Sequence, residues 1–556
     1  MSATIYYHPE AYTTNGPRLM GRNAAGESFL RGFLKHCSAD EIWVQVQTKE
    51  HTKEFARIAQ SMGRLEPIRA IDKNSLGYLS EVGMVYYPSP DLCEHAFHRS
   101  FYGHNAWSLC GITHTTSSAR TMDALASLIS APVQPWDALI CTSTAVKNNV
   151  ERLLQAQIDY LKDRLGITKV LLPQLPVIPL GIHTEDFIYS ESQKADARSI
   201  LGVTADTLVV LYVGRLSFHA KAHPLAMYQA LESAAKSSGK KVLLVECGWH
   251  ANDFIQEAYL NAALLACPSV RVLTLDGRKA EDRQTAWAGA DLFCSLSDNI
   301  QESFGITPIE AMAAGIPVVV SDWDGYKESV REGVDGFRIP TLMPQEGLGS
   351  DLALRHALQI DSYDLYCGHT CSLVAVDVPA TTSAFEKLFN SSDLRKQMGQ
   401  AGRKRAQEVY DWKHIIGKYE TLWKHLNELR NSQGKEIKHL AHPWPSRMDP
   451  FSAFAAYPTA TLTPLTKLAL VDTDVEASIM RALAFKKLAM VDFAKDVLPS
   501  DEEIRTILNT ASQSSMSSSM KKSAIDLVVS VDTVRKPFVL RSLAWLIKLG
   551  VLKVVT

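Results

Sequence analysis

Two series of short apolar segments constrain the fold of this chain more than any other feature of its sequence. The first series begins at residues 4, 41, 84, 108, 138 and 177, and the second begins at residues 207, 241, 270, 290, 316 and 336. Helical patterns separate the segments, and strands that alternate with helices form parallel sheets. The pattern therefore predicts two α/β domains with doubly wound sheets. Ligands are expected at the carboxyl ends of the strands, in the cleft between the domains.

The chain beyond these series predicts a different organisation. Apolar residues recur at helical spacing from Trp412 to Leu429, which indicates a long amphipathic helix that crosses back to the first domain. Five prolines between Pro443 and Pro464 then predict a linker. We expect a Rossmann-like domain over residues 1–188, a second Rossmann-like domain over 189–430, a proline-rich linker over 431–465, and a helical accessory domain over 466–556.

Bulk properties exclude several classes of protein. A chain of 556 residues is too long for one hydrophobic core, and 58 Lys and Arg against 60 Asp and Glu give no field that would attract nucleic acid. No apolar run is long enough to cross a bilayer, and residues 1–10 lack the pattern of a signal peptide. Nine cysteines fit a reducing compartment better than a disulfide framework. We therefore expect a cytoplasmic protein.

The segment from residue 291 to residue 326 carries the most chemical information. Thr307 is a suitable N-cap for a short helix, with Pro308 at its first position and Gly315 at its end. Free N–H groups at such a helix start, after Gly305 with no side chain, would seat a diphosphate. Taken alone, Glu310 is better explained as a capping-box carboxylate of this helix, and Glu302 as a solvated charge on a loop.

The spacing of Glu302 and Glu310, eight residues apart, makes a stronger pattern within SDNIQESFGITPIEAMAAGIPVVVSDWDGY. Here the sequence resembles the retaining glycosyltransferases of family 4, which have the GT-B fold. The resemblance implies transfer of a sugar from a nucleotide diphosphate donor, with no metal ion or other cofactor. It also implies that the domain over 1–188 is the acceptor-side domain and that the domain over 189–430 binds the nucleotide sugar. Spacing does not reveal the base, and we take UDP as the first expectation. The resemblance implies that Glu302 holds hydroxyls of the donor sugar and that Glu310 accepts hydrogen bonds from the ribose. Backbone N–H groups from Phe304, Gly305, Ile306 and Thr307 would contact sugar and phosphate.

A second part of the predicted donor site follows the segment VLYVGRLSFHAKAHP. By resemblance to the same family, Gly214, Arg215 and Lys221 would bind the donor diphosphate and offset the charge of the leaving group. The family's lysine is usually followed by glycine, whereas Ala222 follows it here. An exposed basic loop is the alternative interpretation.

The first predicted domain contributes three candidate residues. Gly21 and Gly26 resemble the family's N-terminal loop, which approaches the donor phosphate and the acceptor. His114, at the end of a predicted strand, resembles a histidine that faces the reacting sugar, although a lone histidine is often structural. The segment VIPLGIHTEDF resembles the family's interdomain connection, with Leu180 in place of the usual asparagine.

Other functions stay open at this point. A sugar phosphorylase or synthase of the same fold would share the phosphate site. The segment PFVLRSLAWLIKLGVLKVV resembles the last helix and wing strand of a winged-helix module, which suggests a regulator that binds protein or nucleic acid. From residue 440 onward, 14 Lys and Arg face 11 Asp and Glu, so nucleic acid is disfavoured. Contact with a partner protein, a second copy or a membrane surface stays open, as does the identity of the acceptor.

The segment CGHTC around His369 lacks the further ligands that a structural zinc site needs.

Overall fold

The computed structural model describes residues 2–13, 21–434, 442–513 and 521–555, which form two compact units, Met1–Trp444 and Pro445–Thr556. The strands are β1 (Thr4–Tyr6), β2 (Ile42–Gln45), β3 (Ile68–Ile71), β4 (Met84–Tyr86), β5 (Ser108–Ile112), β6 (Ala138–Ile140), β7 (Thr207–Val213), β8 (Lys241–Gly248), β9 (Arg271–Asp276), β10 (Leu292–Ser295), β11 (Val318–Ser321), β12 (Gly336–Ile339), β13 (Thr341–Leu342), β14 (Ala375–Val376), β15 (Lys467–Leu470), β16 (Lys522–Ser523) and β17 (Leu552–Val554).

The α-helices alternate with these strands through the first unit and dominate the second. They are α1 (Pro9–Tyr12), α2 (Gly21–His36), α3 (Lys49–Ser61), α4 (Leu79–Val82), α5 (Cys93–Ser100), α6 (Ala119–Ser127), α7 (Thr144–Leu165), α8 (Glu191–Ile200), α9 (Leu225–Ser238), α10 (Asp253–Ala266), α11 (Ala280–Gly289), α12 (Ile306–Ala314), α13 (Tyr326–Ser329), α14 (Ser350–Ala357), α15 (Tyr363–Cys371), α16 (Val378–Asn390), α17 (Ser392–Arg405), α18 (Trp412–Gln433), α19 (Pro450–Ala453), α20 (Val475–Lys486), α21 (Ala489–Asp492), α22 (Asp501–Ser512), α23 (Ala524–Leu527) and α24 (Lys536–Lys548).

Two six-stranded parallel sheets organise the first unit. The first sheet has the order β3-β2-β1-β4-β5-β6 and the second has the order β9-β8-β7-β10-β11-β12, so both follow the same doubly wound pattern. The prediction of two Rossmann-like domains in a GT-B arrangement is confirmed. In such a sheet the strand order reverses between the first and fourth strands, and ligands bind beyond their carboxyl ends. In the second sheet this reversal lies between β7 and β10.

Two strand predictions in the first domain were wrong, for different reasons. β3 was missed because it is an edge strand in which Arg69 and Ala70 are exposed, so it lacks the continuous apolar run of a buried parallel strand. The apolar segment that begins at Val177 forms no strand and contributes only isolated bridges, between Val177 and Cys141 and between Ile182 and Asp411. Apolar residues identify burial, but burial alone does not require a strand ladder.

α18 leaves the second domain and packs on α2 of the first. Trp412, its first residue, is buried, and its indole N–H donates to the Ser28 hydroxyl at 2.7 Å. The ring lies directly on the backbones of Gly32 and Gly181, where an added Cβ would come within 2.5 Å of it. The Trp412 backbone N–H donates to the Ile182 carbonyl at 3.1 Å. This anchor joins α18 to the first domain.

The second unit is small and mainly helical. β15 lies between β16 and β17 in an antiparallel sheet, and the apolar residues Val539, Leu543 and Leu546 of α24 lie in the core of the unit. Ser500 and Glu503 form a capping box at the start of α22. Part of the serine-rich stretch at 511–519 falls outside the described residues. Within the described chain, no helix combines the length and the apolar character needed to cross a membrane.

Candidate active site in the interdomain cleft

The candidate site lies where the strand order of the second sheet reverses. β7 ends at Val213 and is followed by Gly214 and Arg215, and β10 ends at Ser295 and is followed by the loop that leads to α12. Because β7 and β10 are parallel neighbours, paired at Val210 and Leu292, these two loops emerge side by side. The fold therefore brings two separate parts of the predicted site to one place.

The two predicted cationic residues both contact the loop after β10. The Arg215 guanidinium donates to the Ala220 carbonyl at 3.3 Å and to the Gln301 side-chain oxygen at 3.2 Å. The Lys221 ammonium lies 3.1 Å from the Glu302 carboxylate. The Glu302 side chain is 13% exposed and that of Lys221 is 35% exposed, so the ion pair is half-buried at the cleft. The structure thus gathers positive charge beside Glu302.

The helix that follows begins earlier than the sequence suggests. α12 starts at Ile306 with Gly305 as its N-cap, so the prediction of Thr307 as the N-cap was wrong. Gly305 has a φ of +80°, and an added Cβ would lie 1.8 Å from the Tyr326 ring, so only glycine fits this turn. The predicted end of the helix at Gly315, with a φ of +77°, is confirmed. The first N–H groups of α12 lack intrahelical partners and lie beside buried Phe304.

Glu310 lies in the second turn of α12 and is half-buried. Its carboxylate receives no hydrogen bond from any residue that the structure describes, and Gly305 has no side chain to complete a capping box. Burial raises the pKa of Glu310 to about 7, and the positive charge of Arg283 opposes that rise. A carboxylate without a structural partner, next to a helix start, is available to accept hydrogen bonds from a ligand.

The Glu302 loop is tied to the first domain through its neighbour Ser303. The Ser303 hydroxyl donates to the His114 carbonyl, and the Thr142 hydroxyl donates to the Ser303 carbonyl at 3.2 Å. His114 itself is half-buried and lies at the start of the loop after β5. The structure therefore brings the His114 loop against the Glu302 loop across the cleft.

Two buried carboxylates that the sequence interpretation did not single out support the same loops. Asp298 accepts from the His223 backbone N–H at 3.3 Å, and Asp324 accepts from the Ser143 hydroxyl at 2.9 Å. Burial raises the pKa of each to about 7. Both lie just after strands β10 and β11, which is the sequence signal that could have identified them. Asp298 joins the loop of Lys221 to the loop of Glu302.

The predicted glycines of the first domain lie at the start of α2. Gly21 is its first residue and has open space around it, whereas an added Cβ on Gly26 would lie 2.0 Å from the Ala11 carbonyl oxygen. Gly26 therefore permits close packing of α1 against α2, and an approach of either glycine to a donor stays a prediction.

Cys367 and Cys371 of the CGHTC segment are buried on α15. The Cys371 thiol points to the carbonyl groups of Phe218 and His219 at 3.8 and 3.9 Å. In the described part of the chain, no three His, Cys, Asp or Glu side chains are grouped as metal ligands would be. These cysteines therefore pack α15 against the loop that carries Lys221.

Comparison with known families identifies the second domain. Residues 193–346 match the model of the family described as glycosyl transferases group 1, and this range includes Arg215, Lys221, Glu302 and Glu310. The second domain is therefore similar to the glycosyl transferases of group 1. Within the matched range lie the residues that the two loops after β7 and β10 bring together.

Curated relatives match part of this chain and part of their own length. D-inositol 3-phosphate glycosyltransferase of Nocardia farcinica is 29% identical over 168 residues, which cover 30% of this chain and 36% of that protein. The enzyme of the same name from Thermobispora bispora is 28% identical over 203 residues, or 36% of this chain and 46% of that protein. The chain thus spans less than half the length of these two relatives.

Two solved structures are similar over a larger share of the chain. A glycosyltransferase of Rickettsia africae has a TM-score of 0.49 and 14% identity, and the match covers 76% of this chain and 98% of that one. Anabaena HepE in complex with UDP and glucose has a TM-score of 0.47 and 16% identity, covering 76% of this chain and 100% of that one.

Proposed function

We propose that this protein is a retaining glycosyltransferase that moves a sugar from a nucleotide diphosphate donor to a hydroxyl acceptor. The observation that carries the proposal is the convergence of Arg215, Lys221 and Glu302 with the start of α12, beyond the strands where the second sheet reverses its order. The match of residues 193–346 to the glycosyl transferases of group 1 supports the same conclusion.

The diphosphate would lie between the cationic side chains and the start of α12. Free N–H groups and the positive end of a helix dipole favour an anion at that position. Arg215 and Lys221 add two positive charges, which suit the charge that develops on a departing diphosphate without a metal ion. A phosphate would replace Glu302 as the partner of Lys221. The Glu302 carboxylate would then be free to accept hydrogen bonds from the donor sugar.

Glu310 is placed to hold the ribose. It has no hydrogen-bond partner in the described chain, and its raised pKa means that it gains charge near neutral pH. Two ribose hydroxyls can donate to one carboxylate, which accepts only. Binding of nucleotide would therefore favour the charged form and lower the pKa of Glu310. We take UDP as the first nucleotide to test, and the acceptor as unassigned.

The reaction would proceed on one face of the sugar. The bond between C1 and the diphosphate oxygen breaks, the acceptor oxygen forms a new bond to C1, and the acceptor proton passes to the leaving diphosphate. This route retains the anomeric configuration and needs no protein nucleophile. Preorganised positive charge at the diphosphate would provide much of the rate acceleration.

The test combines donor binding with product analysis. We expect a UDP-sugar to raise the melting temperature of the full chain, because a ligand that binds only the folded state stabilises it by mass action. The Arg215→Ala variant should bind UDP at least about 10-fold more weakly by calorimetry, since a charge-assisted contact is lost. Arg164→Ala, at an exposed position near the end of α7, is the matched control.

Product analysis then separates the enzyme classes. With a UDP-sugar and a panel of acceptors that includes D-inositol 3-phosphate, NMR of the product should show the anomeric configuration of the donor. Inversion would contradict the proposed mechanism. Formation of a free sugar phosphate when inorganic phosphate is supplied would identify a phosphorylase instead.

A further inference from the structure

One segment of the second domain leaves the parallel sheet and returns to the same place. After β12 the chain forms β13, α14, α15 and β14, and β13 pairs with β14 in antiparallel register at Thr341 and Val376. The excursion over residues 341–376 is thus closed at its base. The match to the glycosyl transferases of group 1 ends at residue 346, so most of the excursion lies beyond it. We name residues 341–376 the bridging insert.

A buried carboxylate fixes the corner between the two helices of the bridging insert. The Asp361 side chain is 1% exposed and accepts hydrogen bonds from Arg355 at 2.7 and 3.0 Å and from His369 at 3.0 Å. The hydrogen bond from Arg355 lowers the pKa of Asp361 to about 2. Because α15 begins two residues after Asp361, this cluster sets the position of the first turn of α15.

α15 packs closely on the loop between Arg215 and Lys221. An added Cβ on Gly368 would lie 2.9 Å from the His219 Cβ, so the two backbones approach as closely as glycine permits. Asn299, from the loop after β10, donates to the His219 carbonyl at 2.9 Å. The bridging insert therefore supports the loop that carries the cationic residues.

The hydroxyl of Tyr363, the first residue of α15, connects that loop to the first domain. It lies 2.9 Å from the Ser117 hydroxyl and accepts from the Gln301 side-chain nitrogen at 3.0 Å. The Gln301 oxygen in turn accepts from Arg215 at 3.2 Å. Arginine can only donate, so Gln301 must present its oxygen to Arg215 and its NH₂ group to Tyr363. A line of three hydrogen bonds thus runs from Arg215 to Ser117.

We propose that Tyr363 is a positioning residue that orients Arg215 through the Gln301 amide and couples this orientation to closure of the cleft. Without the tyrosine hydroxyl, the amide can rotate and turn its NH₂ group toward the guanidinium, where two donors repel. Opening of the cleft would separate Tyr363 from Ser117, which lies three residues after His114. In the open form Gln301 alone would hold the Tyr363 hydroxyl, so the bridging insert would hold Arg215 less firmly than in the closed form. This role rests on the proposed function, in which Arg215 binds the donor diphosphate.

The first test needs no ligand and uses the full chain. Tyr363→Phe removes only the hydroxyl, and Tyr366→Phe makes the same change one turn later on α15, where the ring stacks on His356 at 4.0 Å. We expect hydrogen exchange of the amides at residues 215–222 to become about 5-fold faster in Tyr363→Phe, since one neutral hydrogen bond is lost. Tyr366→Phe should match the natural protein. Equal exchange rates in the two variants would overturn the proposal that Tyr363 holds the Arg215 loop.

The second test asks whether the effect passes through Gln301. The dissociation constant for UDP and the donor KM should rise about 10-fold in Tyr363→Phe, with a smaller change in kcat. Ser117→Ala should also weaken UDP binding. The double variant Ser117→Ala/Tyr363→Phe should bind UDP no more weakly than Tyr363→Phe alone. In a Gln301→Glu background both side-chain ends accept, so adding Tyr363→Phe should change UDP affinity less than about 2-fold. An undiminished effect in that background would overturn the proposal.

The two tests separate this inference from the proposed function. If the natural protein binds neither UDP nor any nucleotide sugar, the proposed function fails. Hydrogen exchange still decides whether Tyr363 holds the Arg215 loop. If nucleotide binds and the two tyrosine variants behave alike, the proposed function stands and the role of Tyr363 is rejected.

Discussion

Glu302 and Glu310 lie eight residues apart, yet their surroundings differ in nearly every respect. Glu302 is on a loop, forms an ion pair with Lys221 at 3.1 Å, and follows Gln301, which accepts from Arg215. Glu310 is on a helix, has no hydrogen-bond partner in the described residues, and has a pKa raised to about 7. The difference teaches that one motif can present two carboxylates in different surroundings, one paired with a cation, the other without a partner in the described residues and with a raised pKa.

The cause of the difference is the side of α12 on which each residue lies. The loop before the helix faces the cationic side chains after β7 and the first domain, so Glu302 lies beside positive charge. Glu310 lies beyond the first turn, where burial dominates and only Arg283 supplies opposing charge. Substitutions in the loop and in the helix, made separately, test this difference.

Glu302→Gln should have the largest effect. The amide keeps the shape of the side chain but loses its charge and half of its acceptor capacity, so we expect sugar transfer to fall by about 10²- to 10³-fold. The melting temperature should change by less than about 2 °C, because the ion pair with Lys221 is partly exposed. Glu257→Gln, at an exposed position on α10, is the control. Transfer above a tenth of the natural rate would remove Glu302 from the site.

Gly305→Ala should reduce stability, because the junction between the two regions admits no side chain. An added methyl group meets the Tyr326 ring at 1.8 Å and the φ is +80°, so we expect a loss of about 3 kcal/mol or more. Gly333→Ala is a matched control, since its φ is +70° but nothing lies within 4 Å of the added atom. That variant should lose about 1 kcal/mol from backbone strain alone. If Gly305→Ala and Gly333→Ala lose equal stability in thermal melting, the Tyr326 ring moves aside with no loss of free energy.

Glu310→Gln should have a smaller effect that depends on pH. Folding raises the pKa of Glu310 from 4.5 to about 7, so the folded state binds more protons than the unfolded state between these values. The natural protein therefore loses stability as pH rises through this window, by about 1–3 kcal/mol from this group. The glutamine variant does not titrate, so it should melt higher than the natural protein at pH 8.5 and equally at pH 4.5.

UDP binding gives the opposite pH dependence. The natural protein should bind UDP more tightly as pH rises through about 7, because the charged carboxylate accepts both ribose hydroxyls. Glu310→Gln should lose this dependence. A melting difference that does not change with pH would contradict the raised pKa of Glu310.

The sequence predicted the second domain more completely than the first. All six strands of the second sheet were anticipated, because buried parallel strands appear as continuous apolar runs. In the first domain, two strand predictions were wrong. The edge strand β3 shows too little apolar character. The segment that begins at Val177 is apolar and packs on Trp412 at Gly181, but it makes only isolated bridges.

The candidate site was predictable only where its residues are close in sequence. Motif spacing singled out Glu302 and Glu310, and strand-end position singled out Arg215. Gln301, Ser303 and Tyr363 were missed. Their relevance comes from contacts with residues far along the chain, such as the 246-residue separation between Ser117 and Tyr363.

By itself, the sequence determined the two doubly wound domains and the strand ends that carry the candidate residues, because hydrophobic periodicity and glycine placement are local properties. Only the tertiary structure decided that Lys221 pairs with Glu302, that Glu310 lacks a partner within the described chain, and that Tyr363 links Arg215 to the first domain. Charge state and side-chain orientation depend on desolvation and on hydrogen bonds between distant segments. Those quantities exist only once the chain has folded.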